Sequence, residues 1–375
     1  GFRSYRAFAR RDDAERVSHD RLAAQLISAP LSVRGGFKPV PRANTRQTPG
    51  IYWGELHGMA FNQRPLDDFY DYAKRVSRLD FCCPCLFSYN TCVAGVWDEV
   101  KEAADRQTEP GRFVGFAGFE CGTPPDDSHR CVVFNDASRV PPIFCESRPP
   151  ANEEVFLSRL HPDTIVCRTL DEFYDAVDRF GGIVSGHHHT LTYSRDHLAE
   201  MWQKQRSRAD GEEERVLGLL RGGMRMGLIA GSDTHDSMPG NPYPEPHCRS
   251  AAGFLGVHAG ELTRDAIWGA LQRRRVFATT GARIALHFSS SGDPMGSELP
   301  ADRARRFDIR IDGSERLSKV ELLRDGEPIE TWNPDSDRFA TSAADGARRD
   351  EPAFYLVRCH QADGHTGWTS PIWFG

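Results

Sequence analysis

From Ile51 to about Gly281, short apolar runs alternate with amphipathic helical stretches, and four of those runs end on residues that bind metals. The first ends at His57, the second at Glu120, the third at His187-His188-His189, and the fourth at Asp233-Thr234-His235. Strand–helix alternation at this spacing predicts a parallel sheet, closed or open. A closed barrel is the favoured expectation, because ligand-bearing strand ends must converge on one point, and barrel enzymes build their centres at the C-terminal ends of strands. A fifth run, over 79–88, has the same build but carries Cys85-Leu86-Phe87, where nothing can hold a hard cation.

The helices expected from periodicity cover 66–77, 97–106, 170–180, 197–220 and 262–275. Thr169 stands three residues before Glu172, and Thr263 precedes Arg264-Asp265-Ala266; both are helix-start signals. Residues 1–49 read as an N-terminal extension, broken by Pro30, Gly35, Gly36, Pro39 and Pro41. The metal-binding barrel is expected over 50–281. Beyond Gly281 the pattern changes to strands, over 284–288, 307–311, 319–323, 354–359 and 367–374, with turn signals at Asp312-Gly313 and Asp325-Gly326. That predicts a small antiparallel β-sandwich-like domain over 282–375.

Composition narrows the function classes. A chain of 375 residues with 39% hydrophobic and 27% charged content suits a globular α/β protein. A net charge of −6 gives no general attraction to nucleic acid or anionic membranes, so a small-molecule substrate is the expected partner. No run of 18 apolar residues is present, and Gly1-Phe2-Arg3-Ser4 has no apolar signal core. Several of the ten cysteines, Cys82, Cys83, Cys131 and Cys167 among them, lie inside strand-like runs. Buried reduced thiols and a cytoplasmic location are therefore expected. Cys82-Cys83-Pro84-Cys85 contains a CxxC spacing, but no second CxxC pairs with it. No phosphate-binding loop spacing occurs, and the oligomeric state is open.

Each candidate ligand also has a bland reading: a polar strand-end residue for His57, an arginine partner for Glu120, a loop residue for His129. The set is stronger than its members. Gly231-Ser232-Asp233-Thr234-His235 and three consecutive histidines after Gly181-Gly182-Ile183-Val184-Ser185-Gly186 are costly for a fold to carry without use. Imidazole and carboxylate together suit zinc, manganese or iron.

Trp53-Gly54-Glu55-Leu56-His57-Gly58-Met59 resembles the first motif of the PHP (polymerase and histidinol phosphatase) superfamily. The stretch from about 51 to 375 resembles its DUF3604 branch. Gly231-Ser232-Asp233-Thr234-His235 carries that resemblance, as do Arg275-Val276-Phe277-Ala278-Thr279-Thr280-Gly281-Ala282-Arg283-Ile284, Gln361-Ala362-Asp363-Gly364-His365 and Trp368-Thr369-Ser370-Pro371-Ile372-Trp373. The resemblance implies a distorted (β/α)7 barrel with up to three metal ions, commonly used for phosphoester hydrolysis. Met59 stands where the opening His-x-His motif has its second histidine, and Leu86 and Phe87 fall where Asp-His is usual. What survives is His57, Glu120, His129, His187 or His188, Asp233 and His235. One or two ions are therefore expected, not three, beside a wall made drier by Met59, Leu86 and Phe87. A thioether is too soft to replace an imidazole on a hard or borderline ion.

The function expected is metal-dependent hydrolysis of a phosphoester or related small-molecule bond. Glu120 would anchor the ions, and His235 or His188 would protonate the leaving group. Two alternatives stand beside it: a repurposed metalloenzyme doing redox or lyase chemistry, and a non-catalytic binding module. Tyr89, Asn90, Tyr193 and Arg195 are possible pocket neighbours.

Overall fold

The computed structural model describes residues 48–60, 65–148, 156–187, 195–203, 211–241, 251–346 and 351–375. Over these the chain is a mixed α/β protein. The extension over 1–49 lies outside the described residues except at 48 and 49.

β1 (Ile51–Met59) is buried along nearly its whole length, as is β2 (Phe81–Cys85). Continuous burial rather than alternation marks strands covered on both faces. β1 pairs in parallel with β2, and β2 with β3 (Val114–Gly115). Pro84 sits inside β2 opposite Gly58, just where the β1–β2 register shifts, so the ladder is already broken where proline has no N–H to give. A second sheet is built from β4 (Ala117–Thr123), β5 (Ser128–Phe134), β8 (Ile183–Gly186), β9 (Leu198–Trp202) and β10 (Gly227–Ala230), in that order. There β8, β9 and β10 are mutually parallel, while β5 runs antiparallel to both β4 and β8. A small parallel pair, β6 (Ile143–Phe144) with β7 (Ile165–Val166), lies apart.

Helices cover these sheets where their periodicity says they should. The helix Val96–Gln107 buries Trp97, Val100, Ala103 and Ala104, one stripe at helical spacing, and the Trp97 indole donates to the Val140 carbonyl at 2.7 Å. The helix Leu170–Arg179 starts on the expected capping box between Thr169 and Glu172. The helix Leu66–Tyr72 continues as a π turn, Ala73–Ser77, and stops at Arg78 in the left-handed region (φ 53°).

The closed barrel expected from the sequence is not present as a continuous ladder. β1 continues antiparallel into β11 (Phe254–His258) and β12 (Val276–Thr279), and the two sheets remain open. Single backbone links tie one to the other at each edge. Glu120 N donates to Leu86 O at 2.9 Å, with Phe87 bridging Glu120, and Gly253 N donates to Gly231 O at 2.8 Å. The strand end that carries no ligand, Cys85-Leu86-Phe87, is thus the backbone seat of Glu120.

The expected helix over 197–220 is corrected: Leu198–Trp202 is strand β9, and the helix begins at Gly211 (Gly211–Arg221). After Thr279 the chain forms β13 (Ala285–Ser290), β14 (Asp293–Pro294), β15 (Glu298–Leu299), β16 (Arg306–Arg324), β17 (Glu327–Trp332), β18 (Ser336–Ala344), β19 (Ala353–Gln361), β20 (Thr366–Thr369) and β21 (Ile372–Phe374). Asp312-Gly313 is not a turn; it lies within the long β16, which absorbs a register shift between Asp312 and Leu317. Asp325-Gly326 is a turn, with both residues at positive φ. These strands join the first sheet through the β12–β20 pairing, and Phe288, Phe307, Tyr355 and Phe374 pack ring on ring beneath them. Among the described residues no helix is long and apolar enough to cross a membrane.

Candidate metal centre

On β1, Glu55 and His57 are two residues apart, so their side chains leave the strand on one face. His57 is 1% exposed, and its Nδ1 lies 2.9 Å from Oε1 of Glu200 on β9. A carboxylate can only accept, so Nδ1 carries the proton and the Nε2 lone pair faces away from Glu200. It faces Glu120 Oε2 at 3.6 Å and Asp233 Oδ1 at 3.5 Å. Asp233 follows β10, held at φ 48° with its N–H on the His57 carbonyl at 2.8 Å. Gly231 makes this approach possible: a Cβ there would stand 3.0 Å from His57 Cβ and 3.1 Å from Glu200 Oε1.

Glu120 also faces the other way. Its Oε1 lies 2.8 Å from His129 Nδ1 and 3.1 Å from His187 Nε2. His129 is a strand residue on β5, not the loop residue expected; the register places Gly122 opposite His129 and Glu120 opposite Cys131. His187 follows β8, its ring 4.2 Å from that of His57, centroid to centroid. His235 Nε2 approaches Asp233 Oδ1 at 3.2 Å.

Two of the ligand groups that result share Glu120, Glu120–His129–His187 and His57–Glu120–Asp233, each with its donor atoms within 4.8 Å of one another. In the second group the two distances from His57 Nε2 match an ion better than hydrogen bonds. Two donors about 2.1 Å from a tetrahedral ion stand about 3.4 Å apart, close to the 3.6 and 3.5 Å that separate His57 Nε2 from Glu120 Oε2 and from Asp233 Oδ1. His57 Nε2 and Glu120 Oε2 are fully buried with no hydrogen-bond partner among the described residues. Buried polar atoms left in that state are costly unless something else binds them. The donor set, imidazole plus carboxylate, fits a divalent transition ion.

The same groups are electrostatically coupled. Burial pushes Glu120 toward its neutral form, yet the hydrogen bond of His129 and the neighbouring His187 and His57 hold it well below the usual carboxylate range. Burial and then the charge of His57 push His187 down to about 3, so it is a neutral donor. Burial opposes a charge on His57, but Glu200 and Asp233 outweigh it and raise its pKa, so an ion at Nε2 would have to displace a proton there. Burial also raises Asp233, and the charges of His57 and His235 more than reverse that. His129 and His235 are 25% and 17% exposed against 1% for His57 and His187, so the cluster opens on the His129–His235 side.

The structure therefore brings together His57, Glu120, His129, His187, Asp233 and His235. His188 lies outside the described residues, as do His189 and Tyr193. Arg195 is drawn to Asp175 at 2.7 Å and to Asp178, on the outer helix rather than the cluster. Tyr89 stacks on Phe87 at 5.1 Å, and Asn90 lies in the short helix Ser88–Thr91. Two functional carboxylates escaped the sequence reading. Glu200 was hidden because 197–220 reads as a helix; its signal was the alternating Leu198-Ala199-Glu200-Met201-Trp202. Glu55 is fully buried and accepts from Ser232 N at 2.6 Å, Gly240 N at 2.5 Å and the Ser232 hydroxyl, pinning the loop that carries Asp233 and His235.

The sequence model of a family described as a protein of unknown function, DUF3604, matches residues 67–153 and 230–306. An uncharacterized protein of Chlamydia pneumoniae is 23% identical over 357 residues, covering 87% of this chain and 57% of the relative. An uncharacterized protein of Chlamydia muridarum (strain MoPn / Nigg) is 28% identical over 182 residues, 44% of this chain and 29% of its own length. The chain thus spans between about a third and somewhat more than half of these relatives. A two-domain protein containing a predicted PHP-like metal-dependent phosphoesterase from Bacteroides vulgatus ATCC 8482 superposes with a TM-score of 0.41 at 12% identity, over 87% of this chain and 97% of that one. By sequence, then, the chain is similar to the DUF3604 family over the segments that carry Glu120, His129 and Asp233-Thr234-His235.

Proposed function

We propose that the chain is a metal-dependent hydrolase acting on a phosphoester or related small-molecule bond, with one or two divalent ions held at Glu120. The observation that carries this reading is the division of the Glu120 carboxylate, one oxygen to each ligand group. A divalent ion bound there supplies an activated water and polarises the scissile oxygen. The residues of the chain do the rest. Glu120 would be shared between two ions, with His129 and His187 completing one group and His57 and Asp233 the other. Glu200 fixes the His57 tautomer, and Glu55 holds the 232–240 loop in place. His235, on the open side beside Asp233, is placed to give a proton to a leaving group, a role His188 would share. The two linked sheets support a distorted (β/α)7 barrel as the ancestral frame, with 282–375 as an appended β domain.

The test is elemental analysis of the purified protein, followed by turnover of small phosphomonoesters and phosphodiesters with zinc, manganese or iron restored. Bound metal with metal-dependent phosphate release supports the reading. Protein that neither retains nor takes up such an ion rejects it. The apolar patch of Met59, Cys85, Cys131 and Phe87 beside the cluster favours a second reading, a repurposed metalloenzyme. Bound iron with oxygen-dependent turnover would select that one, and an ion bound without any turnover a binding module.

A further inference from the structure

On the apolar side of the cluster the chain carries a donor of a different kind. Cys131 lies on β5 two residues after His129, opposite Glu120 on β4 and Ser185 on β8. Residues two apart on a strand share a face, so its thiol enters the same interior as His129 and Glu120. The Cys131 Sγ forms a third group with ring nitrogens of His57 and His187, all within 4.8 Å and all buried. His57 Nε2 is a buried polar atom with no hydrogen-bond partner among the described residues. Of the other described cysteines nearby, Cys85 packs against Cys131 and its Sγ donates to the Leu56 carbonyl at 3.2 Å, while Cys121 Sγ points to the Arg130 carbonyl at 3.8 Å.

Resting on the metal-centre reading above, we infer that Cys131 is a metal ligand, completing a His57–Cys131–His187 set that lies between the two groups and makes the centre selective for zinc or ferrous iron over manganese and magnesium. A coordinating thiol loses its proton to solvent and binds as thiolate, and thiolate is a soft donor that the harder ions bind poorly. Met59 and Phe87 pack against Cys131, so the soft ligand stands beside the positions where no hard ligand is available.

Cobalt(II) loading of the full chain separates the possibilities. Ligand-field absorption reports any bound ion, and a sulfur-to-cobalt charge-transfer band in the near ultraviolet reports a thiolate. Wild type is expected to show both; Cys131→Ser should keep the ligand-field bands and lose the charge-transfer band, whereas Cys85→Ser should keep both. Zinc affinity should fall about 10- to 100-fold in Cys131→Ser, with manganese affinity changing less than about threefold. Wild-type protein that binds cobalt without a charge-transfer band overturns the assignment of Cys131 and leaves the metal centre standing, and this arm needs no variant to fold. A band that survives Cys131→Ser overturns it equally. Wild-type protein that binds no cobalt overturns the metal centre itself.

Discussion

Glu120 presents one carboxylate oxygen to each half of the cluster: Oε1 lies 2.8 Å from His129 Nδ1, and Oε2 lies 3.6 Å from His57 Nε2. Neither group is complete without it. Glu120→Gln is therefore expected to remove bound metal from both groups at once and to lower any metal-dependent turnover by more than about 100-fold. Metal content by elemental analysis and turnover on the same sample check this. Retention of full stoichiometry by the variant would show that Glu120 is not the shared ligand.

Glu200 makes no ligand group of its own but holds Nδ1 of His57 at 2.9 Å. Glu200→Gln keeps the shape, and its amide can meet Nδ1 in either tautomer. Metal affinity should drop about 10- to 100-fold with little change in melting temperature. An isothermal titration that returns the wild-type affinity would remove Glu200 from the site.

Glu146 reports on pH without being a ligand. It accepts from the Ser88 hydroxyl at 2.5 Å and from Gly122 N at 3.1 Å, and burial raises its pKa to about 8. A carboxyl whose folded pKa lies above its unfolded one binds more protons when folded. The stability it contributes is present below the unfolded value of 4.5 and is lost as pH rises through about 8. Glu146→Gln should remove that loss, so the variant gains on wild type as pH increases. Melting temperatures of the pair from about pH 5 to about pH 9 would show parallel curves if Glu146 has no part in it.

Arg130 is fully buried and points to the face of β5 away from the ligands. It donates to the Tyr174 hydroxyl at 3.0 Å and to Asp196 Oδ1 at 3.2 Å, while Tyr174 donates to Asp196 Oδ2 at 2.8 Å. Arg130→Ala leaves the Asp196 carboxylate buried without its cation and should cost about 3–5 kcal/mol. Double substitution of Arg130 and Asp196 by apolar residues should recover part of it in chemical denaturation. A single variant as stable as wild type would contradict the pairing.

The capping box at Thr169 offers a purely structural contrast. Thr169→Ala should cost about 1 kcal/mol and leave metal content untouched, because the helix Leu170–Arg179 packs on the outside of the sheet. Lost metal in that variant would mean the cluster is coupled to this helix.

Much of this was legible locally. Helix starts at Thr169 and Thr263, the buried strands at 51–59 and 81–85, and the candidate donors His57, Glu120, His187 and Asp233 follow from period, capping chemistry and donor type, although Glu120 lies in the middle of β4 and His57 within β1 rather than at strand ends. Where short-range signals conflicted, they misled. The composition of 197–220 is helical throughout, but β9 forms there because β8 and β10 flank it and supply the ladder. Asp312-Gly313 has turn chemistry, yet β13, β18 and β19 pair along β16 and carry the chain through it.

The sequence by itself determined which side chains have the chemistry to bind metal and that they lie on or just after strands. Only the tertiary structure decided that they meet on Glu120, that Glu200 and Glu55 hold His57 and the 232–240 loop in place, and that Cys131 faces the same interior. Those facts depend on strand order, on the antiparallel insertion of β5 between β4 and β8, and on the backbone links between sheets. Such long-range pairings set which side chains share a face, and no local pattern of residues encodes them.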